Sequence, residues 1–191
     1  MPAVAPMPDP ERGAGERSGR PGGAEVVGLL TARGLTVAVA ESLTGGMLVS
    51  ELIRTPGASH AVVGGVVAYS TALKHSVLGV DAQLLRENGA VDPEVARQMA
   101  TGVRTALAVD GRPADIGIST TGVAGPDPQD GKPVGTVYVG LAVGRDVRVV
   151  ELALEGDRDA IRSAVVAEAV ALLGRSLSDA ADDETVTGPR E

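Results

Sequence analysis

The 191-residue sequence has no cysteine, no tryptophan and no phenylalanine, and only two tyrosines and two histidines. Without cysteine there are no disulfides, no thiolate metal sites and no cysteine nucleophile. His60 and His75 lack metal-ligand spacing, so no metal site is expected, and nothing in the chain calls for another cofactor. With 1% aromatic against 43% hydrophobic residues, the core has to be assembled from Val, Ala and Leu, which suits a buried sheet under helices. No apolar run reaches membrane-spanning length, and the proline-rich, charged N-terminus has no signal-peptide core. A cytoplasmic protein with no membrane partner is therefore expected. Positive charge is short too: the net charge is −8, and residues 24–177 hold 13 Lys and Arg against 17 Asp and Glu. That balance does not suit a nucleic-acid surface.

The chain is long enough for one domain of ordinary size, but two would be cramped. Residues 1–23 contain five prolines and five glycines with almost no large apolar side chain, and the tail 178–191 is acidic. Neither can repay the entropy of ordering, so both are expected to be disordered tails around a folded unit at 24–177. Within that unit the hydrophobic period switches repeatedly between helix and strand. Helices are predicted at about 24–33, 47–54, around Lys74 and after Asp81. A long one opens at Asp92-Pro93, an N-cap followed by proline at the first helical position, and a last one starts after Asp157. Strands are predicted at 36–40, 62–69, 115–120, 136–143 and 147–154, the last two forming a hairpin around Gly144-Arg145-Asp146. This order argues an α/β fold, a three-layer α/β/α sandwich with a mixed, mostly parallel sheet.

Chemistry concentrates in Val37-Ala38-Val39-Ala40-Glu41-Ser42-Leu43-Thr44-Gly45-Gly46, where a strand delivers a serine into a Gly-Gly turn ahead of a helix. The strand would hold the Ser42 hydroxyl, and the glycines and first-turn N–H groups of the helix would face a ligand. Serine before a helix is also the commonest N-cap, and the two roles are compatible. A base is suggested by lysine usage: the chain has fifteen arginines and two lysines, and Lys74 follows a strand end at Tyr69-Ser70. Arginine cannot give up its proton in a protein, whereas a desolvated lysine can, although an ordinary helix lysine faces water. His75 points about 100° away from Lys74 on a helix, so both cannot readily serve one serine. The run Ser119-Thr120-Thr121-Gly122-Val123-Ala124-Gly125-Pro126 offers N–H groups and hydroxyls to an oxyanion, or is simply a strand exit. Arg158 could clamp a phosphate or face solvent. The Gly125 to Lys132 loop has neither the spacing of a phosphate-binding loop nor that of a calcium loop.

Five segments in order, Ala40 to Gly46, Tyr69-Ser70 with Lys74, Thr121 to Pro126, Lys132-Pro133-Val134-Gly135-Thr136-Val137 and Gly156-Asp157-Arg158, resemble the CinA C-terminal domain family. The resemblance spans about residues 24–177. It implies a three-layer α/β/α domain, commonly a homodimer, that hydrolyses the carboxamide of nicotinamide mononucleotide, a small-molecule nucleotide substrate, without a metal. It also implies Ser42 as nucleophile, Lys74 as base and Tyr69 beside them, with Thr121, Gly122 and Arg158 on the substrate. The Thr44-Gly45-Gly46 turn is the further candidate for substrate contact. Leu43 stands where the family often has cysteine, and Asp127-Pro128-Gln129-Asp130 replaces a stretch that is often glycine-rich. The chain is expected to be the stand-alone form. A non-catalytic nucleotide-binding module, or an amidase for another nucleotide-like amide, are the alternative readings.

Overall fold

The structure, a computed structural model, describes residues 21–186. The tail expected at 1–23 lies outside the described residues except for its last three, and so do 187–191. The elements run α1 Gly23–Ala32, β1 Val37–Glu41, α2 Met47–Ile53, β2 Val62–Val67, α3 Thr71–Ser76, α4 Ala82–Asn88, α5 Pro93–Ala106, β3 Ile116–Gly122, β4 Thr136–Val143, β5 Asp146–Ala153 and α6 Arg158–Val186. The five strands form one sheet in the order β2-β1-β3-β4-β5. Strands β2, β1 and β3 pair in parallel, and β4 is antiparallel to both β3 and β5. The sheet is therefore mixed, with β4 alone reversed. Among the described residues no helix is long and apolar enough to cross a membrane.

Side chains alternate between the two faces of each strand, and the sequence uses that alternation unequally. Val37 and Val39 of β1, Ile116 and Ile118 of β3, and Val137, Val139 and Leu141 of β4 join a large core under α1, α2 and α6. The intervening positions are small, Ala38 and Ala40 on β1, Gly117 and Ser119 on β3, Gly140 and Ala142 on β4, apart from Tyr138 on β4, which packs with Val91, Ala96 and Val123. Helix α5 covers this second face so closely that a Cβ on Gly117 would lie 1.9 Å from the Ala100 carbonyl oxygen, and one on Gly140 would lie 2.5 Å from that of Ala96. Ser119, also on this face, donates its hydroxyl to the Ala96 carbonyl at 2.7 Å. Its hydrogen bond thus replaces the bulk that the spacing forbids.

Several boundaries differ from the periodicity. β2 stops at Val67, two residues before Tyr69, because after Ala68 N–H donates to the Glu41 carbonyl (2.8 Å) β1 has turned away and offers no further partner. β3 continues to Gly122 because β4 still pairs with it there. α6 continues through Ser178 to Val186, beyond the point where composition places the acidic tail. The Asp92-Pro93 start of α5 stands as expected, with the Asp92 carboxylate accepting from Glu94 N–H at 2.8 Å.

Two glycine substitutions separate the packed face from the free surface. Gly117→Ala forces a methyl into a helix carbonyl and should destabilise by about 1–3 kcal/mol or more. Gly28→Ala, mid-helix in α1 with nothing within 4 Å of the new Cβ, should stabilise by about 0.5–1 kcal/mol. Urea unfolding of both variants beside the parent measures the pair.

Candidate active site

β1 lies between β2 and β3, and its carboxyl end is where the chain leaves the sheet. Alternation decides what happens there. Ala38 and Ala40 face α5, so Ser42 is aimed to the same side, and Glu41 to the side of α2. Ser42 remains tied to the sheet by its N–H, which donates to the Thr120 carbonyl at 3.0 Å. Lys74 reaches Ser42 from α3. Its Nζ donates to the Ser42 Oγ at 3.0 Å and to the Ala68 carbonyl at 2.8 Å. The side chain is fully buried, and Ser42 is 8% exposed. Burial lowers the Lys74 pKa from 10.5 to about 8, with the negative charge of Asp130 acting in the opposite sense. A neutral amine is therefore accessible close to physiological pH, within hydrogen-bond distance of a hydroxyl.

Both residues open onto a cleft enclosing about 600 Å³, solvent at its mouth included. Tyr69, Thr121, Gly122 and Arg158 line it as well. Gly122 has no room for a side chain, since a Cβ would stand 2.6 Å from the Thr136 carbonyl oxygen. The Thr121 hydroxyl donates to the Ala90 carbonyl at 2.6 Å. Arg158 spans the mouth, donating to the Gly125 carbonyl at 2.8 Å and to the Tyr69 hydroxyl at 3.2 Å. It sits in the first turn of α6, where the Asp157 side chain caps Ala160 N–H at 2.8 Å.

The remaining candidates lie elsewhere. Thr44, Gly45 and Gly46 do not line the cleft. Thr44 is buried with its hydroxyl 2.8 Å from that of Thr120. The start of α2 is not open to a ligand either. The buried carboxylate of Glu41 accepts from Gly46, Leu48 and Val49 N–H at 2.9, 3.1 and 2.9 Å. This corrects the expectation that the first-turn N–H groups face substrate, and it removes Ser42 as the cap. The N-cap of α2 is Gly46, in the left-handed region with φ 97°, without a side-chain cap of its own. His75 is held by the Val80 carbonyl, 2.8 Å from its Nδ1, and does not line the cleft. Among the described residues no group of His, Asp and Glu is placed to hold a metal.

Three contributors escaped the sequence reading. Glu41 left a trace, a lone carboxylate ending an apolar strand just before a helix, the charge that a helix start favours. Arg162 donates to the Leu43 and Thr44 carbonyls at 3.0 and 3.2 Å. Nothing local in the sequence singles it out. Asp130 accepts from Ala90 N–H at 3.0 Å and pins its loop against the cleft wall across forty residues of sequence, a separation no motif records.

The model of the CinA C-terminal domain matches residues 22–177. A CinA-like protein of Frankia casuarinae is 48% identical over 167 residues, covering 85% of this chain and 36% of the relative. A putative competence-damage inducible protein of Geobacillus kaustophilus is 54% identical over 134 residues, covering 70% and 31%. The chain thus spans about a third of the length of these relatives. Solved structures match over nearly their whole length. A competence-damaged protein (CinA) superfamily protein from Klebsiella pneumoniae has a TM-score of 0.77 at 33% identity, over 82% of this chain and 96% of that one. A competence/damage inducible protein from Agrobacterium tumefaciens has a TM-score of 0.74 at 32% identity, over 85% and 99%. With the family model covering most of its length and with the same sheet and helices as these structures, the chain belongs to the CinA C-terminal domain family.

Proposed function

We propose that this chain is an amidohydrolase that converts nicotinamide mononucleotide to nicotinate mononucleotide and ammonia, with Ser42 as nucleophile and Lys74 as base. The observation that carries this reading is the buried contact between Lys74 Nζ and Ser42 Oγ. The gap between 10.5 and about 8 corresponds to on the order of 3 kcal/mol at neutral pH, which the fold spends on keeping this lysine out of water. A module that only binds a nucleotide has no use for that cost. An arginine or an apolar side chain would serve it better.

In this scheme neutral Lys74 takes the hydroxyl proton as Ser42 Oγ bonds to the carboxamide carbon and the carbonyl electron pair moves onto oxygen. Lys74 then returns the proton to the amide nitrogen, the C–N bond breaks, and ammonia leaves an ester on Ser42. Water, giving its proton to Lys74, adds to that ester, and Lys74 passes the proton to Ser42 Oγ as the Ser42–carbon bond breaks to release the acid. The oxyanion is placed against Gly122. The Thr120 carbonyl faces β1 and Val123 N–H donates to Thr136 on β4, so strand alternation turns the Gly122 N–H to the β1 side, just past Ser42. The 5′-phosphate falls to Arg158, because Glu41 already occupies the start of α2 and Arg158 carries a charge at the mouth with further N–H groups to give.

Ammonia release from nicotinamide mononucleotide tests the reading. Ser42→Ala should cut kcat by at least ~10³-fold with substrate binding retained, and activity within threefold of the parent would remove the nucleophile. Lys74→Arg should be nearly as inactive as Lys74→Met, since arginine keeps the charge but cannot accept the proton. The parent's kcat/KM should rise with pH through about 8, as Lys74 loses its proton.

The same titration predicts a stability signature. Between about pH 8 and 10.5 the unfolded chain binds the Lys74 proton and the native chain does not, so the parent gains stability as pH rises through that window. Lys74→Met lacks this gain. Its stability relative to the parent should therefore fall by on the order of 3 kcal/mol between pH 7 and 10.5, read from denaturant melts at each pH.

Arg158→Ala should reduce efficiency on the mononucleotide at least tenfold, about the worth of one charge-assisted hydrogen bond, and affect the riboside far less. Equal efficiency of the parent on both substrates would show that the phosphate is not read.

A further inference from the structure

We propose that Arg162 is the positioning residue of the nucleophile turn, holding the Leu43–Thr44 and Thr44–Gly45 peptide units so that the N–H of Leu43, on the cleft beside Ser42, is kept free for the oxyanion together with that of Gly122. The proposal rests on the amidase reading and extends it to the turn itself. Along Ser42 to Val49, six backbone N–H groups have partners: Ser42 to Thr120, Gly45 to Ser42, Met47 to Thr44, and Gly46, Leu48 and Val49 to the Glu41 carboxylate. Among the described residues, Leu43 and Thr44 N–H have none, although both residues are buried. Buried N–H groups without partners are rare and costly, and that of Leu43 lies on the cleft directly after the nucleophile, where an acyl-transfer site requires a donor.

Arg162 accounts for the orientation of the Leu43 N–H. In a trans peptide unit the N–H points opposite to the preceding carbonyl. The Ser42 carbonyl points into the turn toward Gly45, which turns the Leu43 N–H outward on a residue that lines the cleft. Arg162 Nε holds the Leu43 carbonyl and Nη2 draws the Thr44 carbonyl toward α6, which aims the N–H of that second peptide unit, Gly45's, back at the Ser42 carbonyl and so fixes the outward Leu43 N–H. A planar guanidinium with divergent N–H donors can take two successive carbonyls at once. Gly45 makes the approach possible. Its φ of +60° disfavours a side chain, and a Cβ there would stand 3.4 Å from Arg162 Nη2. The ion pair of Arg162 with Asp159, at 3.3 Å, holds the guanidinium from within α6.

Steady-state ammonia release from nicotinamide mononucleotide by Arg162→Met and Arg162→Lys is the test, with labelling of Ser42 by a fluorophosphonate as a readout that does not depend on the substrate. Arg162→Met keeps the apolar stem without the donors. It should lower kcat by roughly 10²-fold, the size of losing one oxyanion donor, with KM within about threefold and labelling slowed in parallel. Arg162→Lys, which can still donate to one carbonyl, should recover about tenfold of the loss; if the Met variant does not fold, the Lys variant decides against the parent alone. An unchanged kcat, a raised KM with kcat kept, or a Lys variant no better than Met would overturn the proposal. If the parent labels but releases no ammonia, the substrate reading fails and the labelling rates still judge Arg162. A parent that does neither has no nucleophile at Ser42, and the role of Arg162 falls with it.

Discussion

An amine taken out of water has to find acceptors or give up its proton, and the fully buried Lys74 does some of both. Its two acceptors come from different places: Ser42 at the end of β1 and the Ala68 carbonyl beyond β2. Both positions exist only because β1 and β2 are paired in register, so the sheet must be complete before the lysine can be accommodated. The short helix α3 brings Lys74 back over the strand end it has just left. Asp130 adds a distant negative charge that keeps the amine from becoming too weak a base. The site is thus a property of the assembled sheet more than of any one segment.

The turn after β1 is held from three directions. Thr120 takes its first N–H, the Glu41 carboxylate collects three N–H groups at the start of α2, and Arg162 draws two carbonyls toward α6. Positioning of this kind is worth more to a catalyst than to a scaffold, since a displacement of about 1 Å in a reacting atom can cost 10²-fold in rate. The long helix α6 therefore does two jobs. Its apolar positions Ile161, Val165, Ala169 and Leu173 close the larger core, and its N-terminal end carries Arg158 to the mouth of the cleft and Arg162 to the Leu43 and Thr44 carbonyls.

Elements with strong local signals were legible in the sequence. The Asp92-Pro93 start of α5, the hairpin at Gly144 and the Ser42 turn all carry residue types that few other conformations use. The proximity of Ser42 and Lys74 was legible through lysine scarcity and a resemblance spread over five segments. The occupation of the α2 N-terminus was not, because it depends on which face Glu41 points to once β1 is in the sheet. Arg162 and Asp130 were hidden for the same reason: their partners lie 119 and 40 residues away, and neither sits in a local pattern. The end of β2 depends on where its neighbour turns, which periodicity within β2 cannot contain.

The unequal faces of the sheet also set how the chain can change over time. Under α1, α2 and α6 the contacts are between branched side chains, and such layers absorb exchanges among Val, Ile and Leu by repacking. Against α5, Val95, Met99 and Val103 pack on alanines of β1, and at Gly117 and Gly140 the neighbours are helix carbonyl oxygens, which cannot repack. Drift in the core should therefore be channelled to one side of the sheet. Ser42 and Lys74 sit on the other side, whose geometry cannot follow.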